Sequence, residues 1–293
     1  MRSSGIQRLK NTLVKFILDV KPVRVVLYKP LRWLYKMYLW GRSFCLLLFR
    51  RKGVQNVYMG TVQKTGSMWI RTMFSDPRIK RYTKLGIYPQ HRYEYTEFIA
   101  RFPKYTLVPN LYIGYPSFEI ITKPKNYKAC YFIRDPRNVV VSWYHSMRES
   151  HRLVNPKVEA YRRILQELEY EAGIRYCIEE LSIKFAFLRS WMYRAERDNV
   201  LIIRFEDIVQ QPFDEMKRLL AFIEVDVPGP VLRAVLDDYS KEKMRARDLA
   251  RRMSKTSNYG TRSTDWRETM SEENLRFFYQ TTGDLVELMG YER

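Results

Sequence analysis

Residues Gly60 to Trp69 read GTVQKTGSMW, and their conformation decides how the rest of the chain is read. An apolar run, Val57-Tyr58-Met59, leads in, and Ile70-Arg71-Thr72-Met73-Phe74 leads out. The expected order is strand, tight turn, helix. Such a turn binds phosphate, because backbone N–H groups converge at the start of the helix and the helix dipole favours anions there. It is not a Walker A loop. That loop has lysine directly after its last glycine, in G-x-x-x-x-G-K-[ST], whereas Lys64 stands two residues before Gly66. The kind of anion it holds has to be sought in the rest of the chain.

Two more runs rich in β-branched and aromatic residues, Ala129–Arg134 (ACYFIR) and Val200–Phe205 (VLIIRF), read as strands alongside Val57–Val62. After the second, Asp135 suits an N-cap and Pro136 the first position of a helix, NVVVSWYHSM. After the third, Pro212 opens PFDEMKRLLAFI, with Phe213, Met216, Leu219, Leu220 and Ile223 on one face. Residues 174–197 read as a helix. Thr269 and Glu272 have capping-box spacing before a last helix, ENLRFFYQTTGDLVELM. Alternating strands and helices predict an α/β fold, a central parallel sheet flanked by helices. Ligands of such sheets sit beyond the carboxyl ends of the strands. Lys64 and Arg134 stand at two such ends, which suits a ligand with two separated anionic groups.

The 293 residues are 46% hydrophobic and 29% charged, a globular composition. No Gly/Pro-rich linker divides them, so 53–293 reads as one domain behind a basic aromatic extension, 1–52. Cys45, Cys130 and Cys177 form no CxxC pair and leave an odd thiol, which points to a reducing compartment and a cytoplasmic location. His91, His145 and His151 lack metal-ligand spacing with a carboxylate or cysteine, and no metal site is expected. The formal net charge is +20, and residues 1–50 hold eleven Lys/Arg against one acid, Asp19. That asymmetry implies an anionic partner surface. No nucleic-acid module is recognisable. Residues 31–49, LRWLYKMYLWGRSFCLLLF, are broken by Arg32, Lys36 and Arg42 and make a poor spanning helix. Three readings stand: a basic surface helix packing its apolar face on the domain, a helix in the interface of an anionic membrane, or a transit peptide. The second would make the protein peripheral to the membrane.

Four stretches in order resemble the sulfotransferases that use 3′-phosphoadenosine-5′-phosphosulfate (PAPS). QKTGSMW is similar to the family's PKSGTTW loop, and IRDPRNVVVSWYHSM to its RDPRDVVVSYYHF strand and helix. RFEDIVQQPFDEMKRLLAFI resembles YEDL…P…E…I..FL, and YGTRSTDWRETM the terminal RKG…GDW segment. A weaker fifth, YSKEKMR, looks like TSFEEMK. The resemblance covers the chain from about residue 55 and implies a P-loop-like nucleotide-binding sulfotransferase fold. It implies an enzyme moving a sulfuryl group from PAPS to a hydroxyl or amine of a small-molecule, glycan or lipid acceptor, releasing 3′,5′-ADP, with no metal.

The roles carried over are these. Lys64 meets the bridging oxygen between phosphate and sulfuryl group, where charge grows as the bond breaks. Backbone N–H groups of residues 65–69 (Thr65, Gly66, Ser67, Met68 and Trp69) hold the 5′-phosphosulfate, Gly66 letting the backbone come close and Ser67 adding a hydroxyl. Trp69 and Ser240 lie near the adenine. Arg134 and Ser142 take the 3′-phosphate, with Gly260 and Arg262 from the terminal segment. The family's usual base, a histidine about twenty-two residues before Arg134, is replaced by Tyr112. His91 and Glu94 are the substitute candidates, with a tyrosine or no dedicated base as the remainder. His145 reads as a structural helix residue and His151 has weaker claims. Residues 80–125, rich in Tyr, Phe, Pro and Arg, are expected to wall the acceptor pocket. Two rival readings remain: a P-loop nucleotide phosphotransferase using ATP and Mg²⁺, or a non-catalytic membrane-surface protein with a decayed nucleotide site.

Overall fold

A computed structural model describes residues 21–48, 53–89, 101–151, 156–194, 197–252 and 265–293. In chain order the elements are α1 (Lys21–Leu48), β1 (Asn56–Thr61), α2 (Ser67–Phe74), α3 (Pro77–Thr83), β2 (Gly86–Ile87), β3 (Thr106–Leu111), α4 (Tyr115–Ile120) and β4 (Tyr127–Ile133). Next come α5 (Pro136–His145), which runs into a π turn (Ser146–Ser150), α6 (Pro156–Glu167), α7 (Tyr170–Met192), β5 (Val200–Arg204), α8 (Phe205–Gln210) and α9 (Pro212–Phe222). Then follow α10 (Gly229–Asp238), α11 (Lys241–Arg252), α12 (Trp266–Thr269), α13 (Glu272–Thr282) and α14 (Leu285–Leu288).

The five strands lie in the order β2-β3-β1-β4-β5, and every pair is parallel. The expected α/β architecture is the one observed. Helices cover both faces, so strand residues of both parities are apolar. Val57, Met59, Cys130 and Phe132 point into one core with Ile70, Met73 and Leu219, while Tyr58, Tyr131 and Ile133 point into the other with Val140, Leu188 and Trp191. β1 lies at the centre, and the chain winds to β3 on one side and β4 on the other. The crevice at its carboxyl end is thus a topological switch point.

Two strands were not expected. β2 is only two residues long. β3, TLVPNL, contains Pro109, and Asn110 takes a left-handed φ of 53°. The pairing with β1 slips by a residue between Tyr58 and Gly60, a bulge that accommodates the proline. The C-terminal capping box does not form either. Thr269 ends α12 and donates to the Asp265 carbonyl at 2.7 Å, while Ser271 caps α13 by accepting from the Asn274 N–H at 3.3 Å. The single last helix is broken at Gly283, whose φ is 60°.

The N-terminal helix overturns the expectation that its apolar face packs on the domain. α1 lies along the β2–β3 edge with Leu39 and Ser43 buried at 1% and 3% exposure. Leu39 Cδ2 comes within 2.5 Å of where a Cβ on Gly86 would stand, so any larger residue there would have to push the leucine aside. Arg42 donates to the Tyr105 carbonyl at 3.1 Å and to the Lys84 carbonyl, and Ser43 Oγ accepts from the Lys104 N–H at 3.0 Å. Lys36 lies over the Tyr88 ring, 5.4 Å from its centre. The polar side faces inward because the edge presents backbone groups that need partners. Trp33, Leu34, Met37, Trp40, Phe44 and Leu48 face outward. No described helix is long and apolar enough to cross a membrane.

Candidate active site

The loop after β1 is built from two left-handed residues, Lys64 with φ 71° and Gly66 with φ 75°. Thr65 between them is fully buried and fastened from below: its hydroxyl donates to the Val62 carbonyl at 3.0 Å and pairs with the Thr61 hydroxyl. The alternation turns successive N–H groups to one side and makes a concave anion nest. Among the described residues, the N–H groups of Thr65, Gly66, Ser67 and Met68 are not spent on a backbone carbonyl. Trp69 differs from the expectation, since its N–H donates to the Gly66 carbonyl at 2.9 Å. Four donors at the head of α2 are therefore the loop's contribution, one fewer than the five expected. Ser67 is buried at the first position of that helix, and Met68 is exposed, with its sulfur accepting from the Asn110 side-chain amide at 3.4 Å.

Arg134 extends from the end of β4 and comes to this loop. Its guanidinium donates to the Lys64 carbonyl at 3.1 Å and stacks on the Phe205 ring, 4.8 Å from the centre. Burial pulls its pKa below the ordinary arginine value, opposed by the charges of Glu206 and Asp135. A desolvated cation beside an anion nest is a strong partner for phosphate. Ser142, expected to act with Arg134, lies buried two turns along α5.

Phe205 is the residue that sequence reasoning missed. A Cβ on Gly66 would lie 2.7 Å from that ring. Gly66 is thus required by its φ and by Phe205, whereas the expectation gave the ligand as the reason. One ring holds the loop on one side and Arg134 on the other. The signal was present in RFEDI, where the aromatic follows the last strand residue, Arg204. Phe205→Ala is expected to weaken 3′,5′-ADP binding by about tenfold, the worth of a partly desolvated cation–π contact plus loop order, with Phe205→Tyr near wild type; titration calorimetry measures it.

Asp135 caps α5 as expected, accepting from the Arg137 N–H at 2.9 Å. The second arginine of the motif turns back and completes the device. Arg137 Nε and a terminal nitrogen donate to the two Asp135 oxygens at 3.0 and 2.8 Å. The fully buried Arg137 also donates to Tyr279 OH at 2.8 Å and to the Glu292 carbonyl at 2.6 Å, and lies 3.9 Å from the Trp266 ring centre. The same Asp-Pro-Arg device opens α3: Asp76 accepts from Arg78 N–H, Nε and a terminal nitrogen at 2.8, 3.0 and 2.9 Å. Its carboxyl is held below the usual range, first by Arg78.

At the other end of α2's first turn, Trp69 Nε1 donates to the Tyr239 carbonyl at 2.6 Å, and Tyr239 OH donates to Asp76 at 3.2 Å. Ser240 follows Tyr239, and its hydroxyl accepts from the Lys243 N–H at 3.4 Å at the head of α11. Trp69 is thereby tied to the residue before Ser240. Gly260, Arg262, His91 and Glu94 lie outside the described residues. His145 ends α5 against the Tyr144 and Tyr170 rings, and His151 follows the π turn, its carbonyl accepting from Arg162 at 2.5 Å. Tyr112 is half-buried at the carboxyl end of β3, beside β1. The expected aromatic pocket wall is seen only in part, since residues 90–100 lie outside the described residues. Tyr88, Phe102, Tyr105, Tyr115 and Phe118 are buried, and most pack edge to face in the core, where the area they bury outweighs any gain from lining a cleft. Burial pushes the thiols of Cys130 and Cys177 up, which keeps them inert.

A parallel α/β sheet whose central strand ends in an anion nest, with a half-buried arginine at the next strand end, is an anion-binding arrangement of the P-loop-like class. The chain belongs to the sulfotransferase domain family, whose model matches residues 55–290. Human Sulfotransferase 1C2 is 27% identical over 128 residues, 43% of this chain and 40% of that protein. Mouse Sulfotransferase 1 family member D1 is 24% identical over 111 residues, 37% of this chain and 34% of that protein. The chain thus matches well under half the length of either relative. The crystal structure of mouse sulfotransferase SULT7A1 complexed with PAP shares the fold, with a TM-score of 0.56 and 20% identity over 79% of this chain and 83% of that one.

Proposed function

We propose that this protein transfers a sulfuryl group from PAPS to a hydroxyl or an amine of a small-molecule, glycan or lipid acceptor and releases 3′,5′-ADP. The observation that carries the reading is the fastening of Arg134 to the Lys64 loop across Phe205, which gives one ligand two cationic anchors. Family membership and the PAP in the mouse structure of the same fold support it. The N–H groups of Thr65 to Met68, with the Ser67 hydroxyl, hold the 5′ end. Arg134 holds the 3′-phosphate, with Ser142, Gly260 and Arg262. Trp69 and Ser240 flank the adenine.

In the reaction the acceptor oxygen forms a bond to sulfur as the bond from sulfur to the bridging oxygen breaks. The sulfuryl group moves with in-line geometry, and the acceptor's proton passes to a base. Lys64 neutralises charge on the departing oxygen, which is larger in the transition state than in the bound substrate. His91 is the first candidate for the base and Glu94 the second; Tyr112 occupies the place where the family's usual histidine stands. Cytoplasmic location, with residues 1–50 meeting an anionic membrane, completes the reading.

Turnover of labelled PAPS with a panel of acceptors tests the function. A protein that fails both to bind 3′,5′-ADP and to turn over with any acceptor would overturn it, and binding of ATP with Mg²⁺ in preference would favour a phosphotransferase. Among His91→Ala, Glu94→Gln and Tyr112→Phe, the base variant is expected to lose about 10²–10⁴-fold in kcat with donor affinity unchanged.

A further inference from the structure

The charges and the apolar residues of α1 are segregated in a way that inverts an ordinary surface helix. Between Leu31 and Leu48 its three charges, Arg32, Lys36 and Arg42, lie on the side that meets the domain and are half-buried there. The rest of the circumference carries no charge. Trp33 is 59% exposed and Phe44 63%, and Leu34, Met37, Trp40 and Leu48 are exposed between and beside them. Their spacing of three and four residues lines them along one stripe. So large a continuous apolar surface on a globular domain marks a contact site.

We infer that this outward stripe of α1 is the surface on which an anionic lipid bilayer docks, with the helix lying in the interface plane. The inference rests on the reading that the N-terminal segment meets a membrane, and it names the side chains that enter the bilayer. Two observations select lipid over another protein. Besides the three that face the domain, residues 1–50 hold eight basic residues and one acid, complementary to anionic headgroups. The stripe is rich in tryptophan and aliphatic residues, which suits the boundary between headgroup and acyl chain. The helix is about 42 Å long at 1.5 Å per residue, enough for several headgroups yet not apolar enough to cross.

The docking contacts also set an orientation. Arg42 and Ser43 touch Lys84, Lys104 and Tyr105, at the beginnings of β2 and β3, while Lys36 touches Tyr88, just past the end of β2. α1 therefore runs antiparallel to the strands, and its earlier residues lead toward the carboxyl ends where Lys64 and Arg134 stand. A bilayer on the stripe lies beside the mouth of the active site. The acceptor class this favours is an amphiphile whose hydroxyl sits in the membrane interface.

Flotation of the full chain with phosphatidylcholine vesicles, with and without phosphatidylserine, is the test. The wild type is expected to float with anionic vesicles, with tryptophan emission quenched by brominated acyl chains. The triple variant Trp33→Ser, Trp40→Ser, Phe44→Ser is expected to lose at least about tenfold in vesicle affinity while keeping its melting temperature and 3′,5′-ADP affinity, because these side chains are exposed. Unchanged binding of the triple variant, abolished by salt, would overturn the stripe and leave the charged-membrane reading standing. Failure of the wild type to float would overturn both, without touching PAPS turnover. A lipid-free dimer in sedimentation that the triple variant loses would assign the stripe to a second copy of the chain and overturn the inference.

Discussion

Lys64→Ala is expected to lower kcat for PAPS about 10²–10³-fold, the usual effect of removing one preorganised donor from a developing oxyanion. Binding of 3′,5′-ADP should weaken by less than tenfold, because the product lacks the bond whose breaking builds the charge. The loop itself should survive. Thr65 is held by Val62 and Thr61, and Arg134 grips the carbonyl of residue 64, which alanine retains. Lys64→Arg keeps the charge but not its compact shape, and should recover only part of the rate. Single-turnover kinetics alongside calorimetric 3′,5′-ADP titration separate the two effects. A Lys64→Ala enzyme that turns over at the wild-type rate would remove lysine from the mechanism.

The largest loss of stability is expected from Arg137→Leu. This side chain is fully buried and serves Asp135, Tyr279 and the Glu292 carbonyl together. Its removal strands the Asp135 carboxylate in a low-dielectric site and orphans a backbone carbonyl, at a cost of about 3–5 kcal/mol. For a domain of this size that lowers the melting temperature by about 10 °C. Adding Asp135→Asn should restore part of the loss, since asparagine still caps α5 and carries no charge. A melt of the three proteins checks this; equal melting temperatures for Arg137→Leu and wild type would show the pair to be without net value.

Where local chemistry dictated the backbone, the sequence was readable. Asp135 and Pro136 announced α5, Pro212 announced α9, and Lys64 with Gly66 announced the nest. What escaped reading depended on contacts distant along the chain. β3 was hidden because Pro109 and Asn110 contradict strand propensity, and only the bulge against β1 resolves the conflict. Phe205 was visible as a residue, but its wedge between Gly66 and Arg134 joins three separate elements. The inverted face of α1 was invisible because periodicity locates a stripe without saying which side meets the domain. The buried pile of Tyr88, Phe102 and Phe118 shows the same limit, since composition does not tell a core aromatic from one lining a cleft.

The bond from Arg137 to the Glu292 carbonyl spans 155 positions of sequence. Closing so long a loop is slow compared with forming the turn it completes. Asp135 and its helix can therefore form early, but the arginine behind them stays solvated until residues 279–292 return. The site around Arg134 is therefore expected to be among the last parts of the molecule to mature during folding. A ligand that recognises only the finished site then acts on the rate of leaving the native state and not on the rate of reaching it.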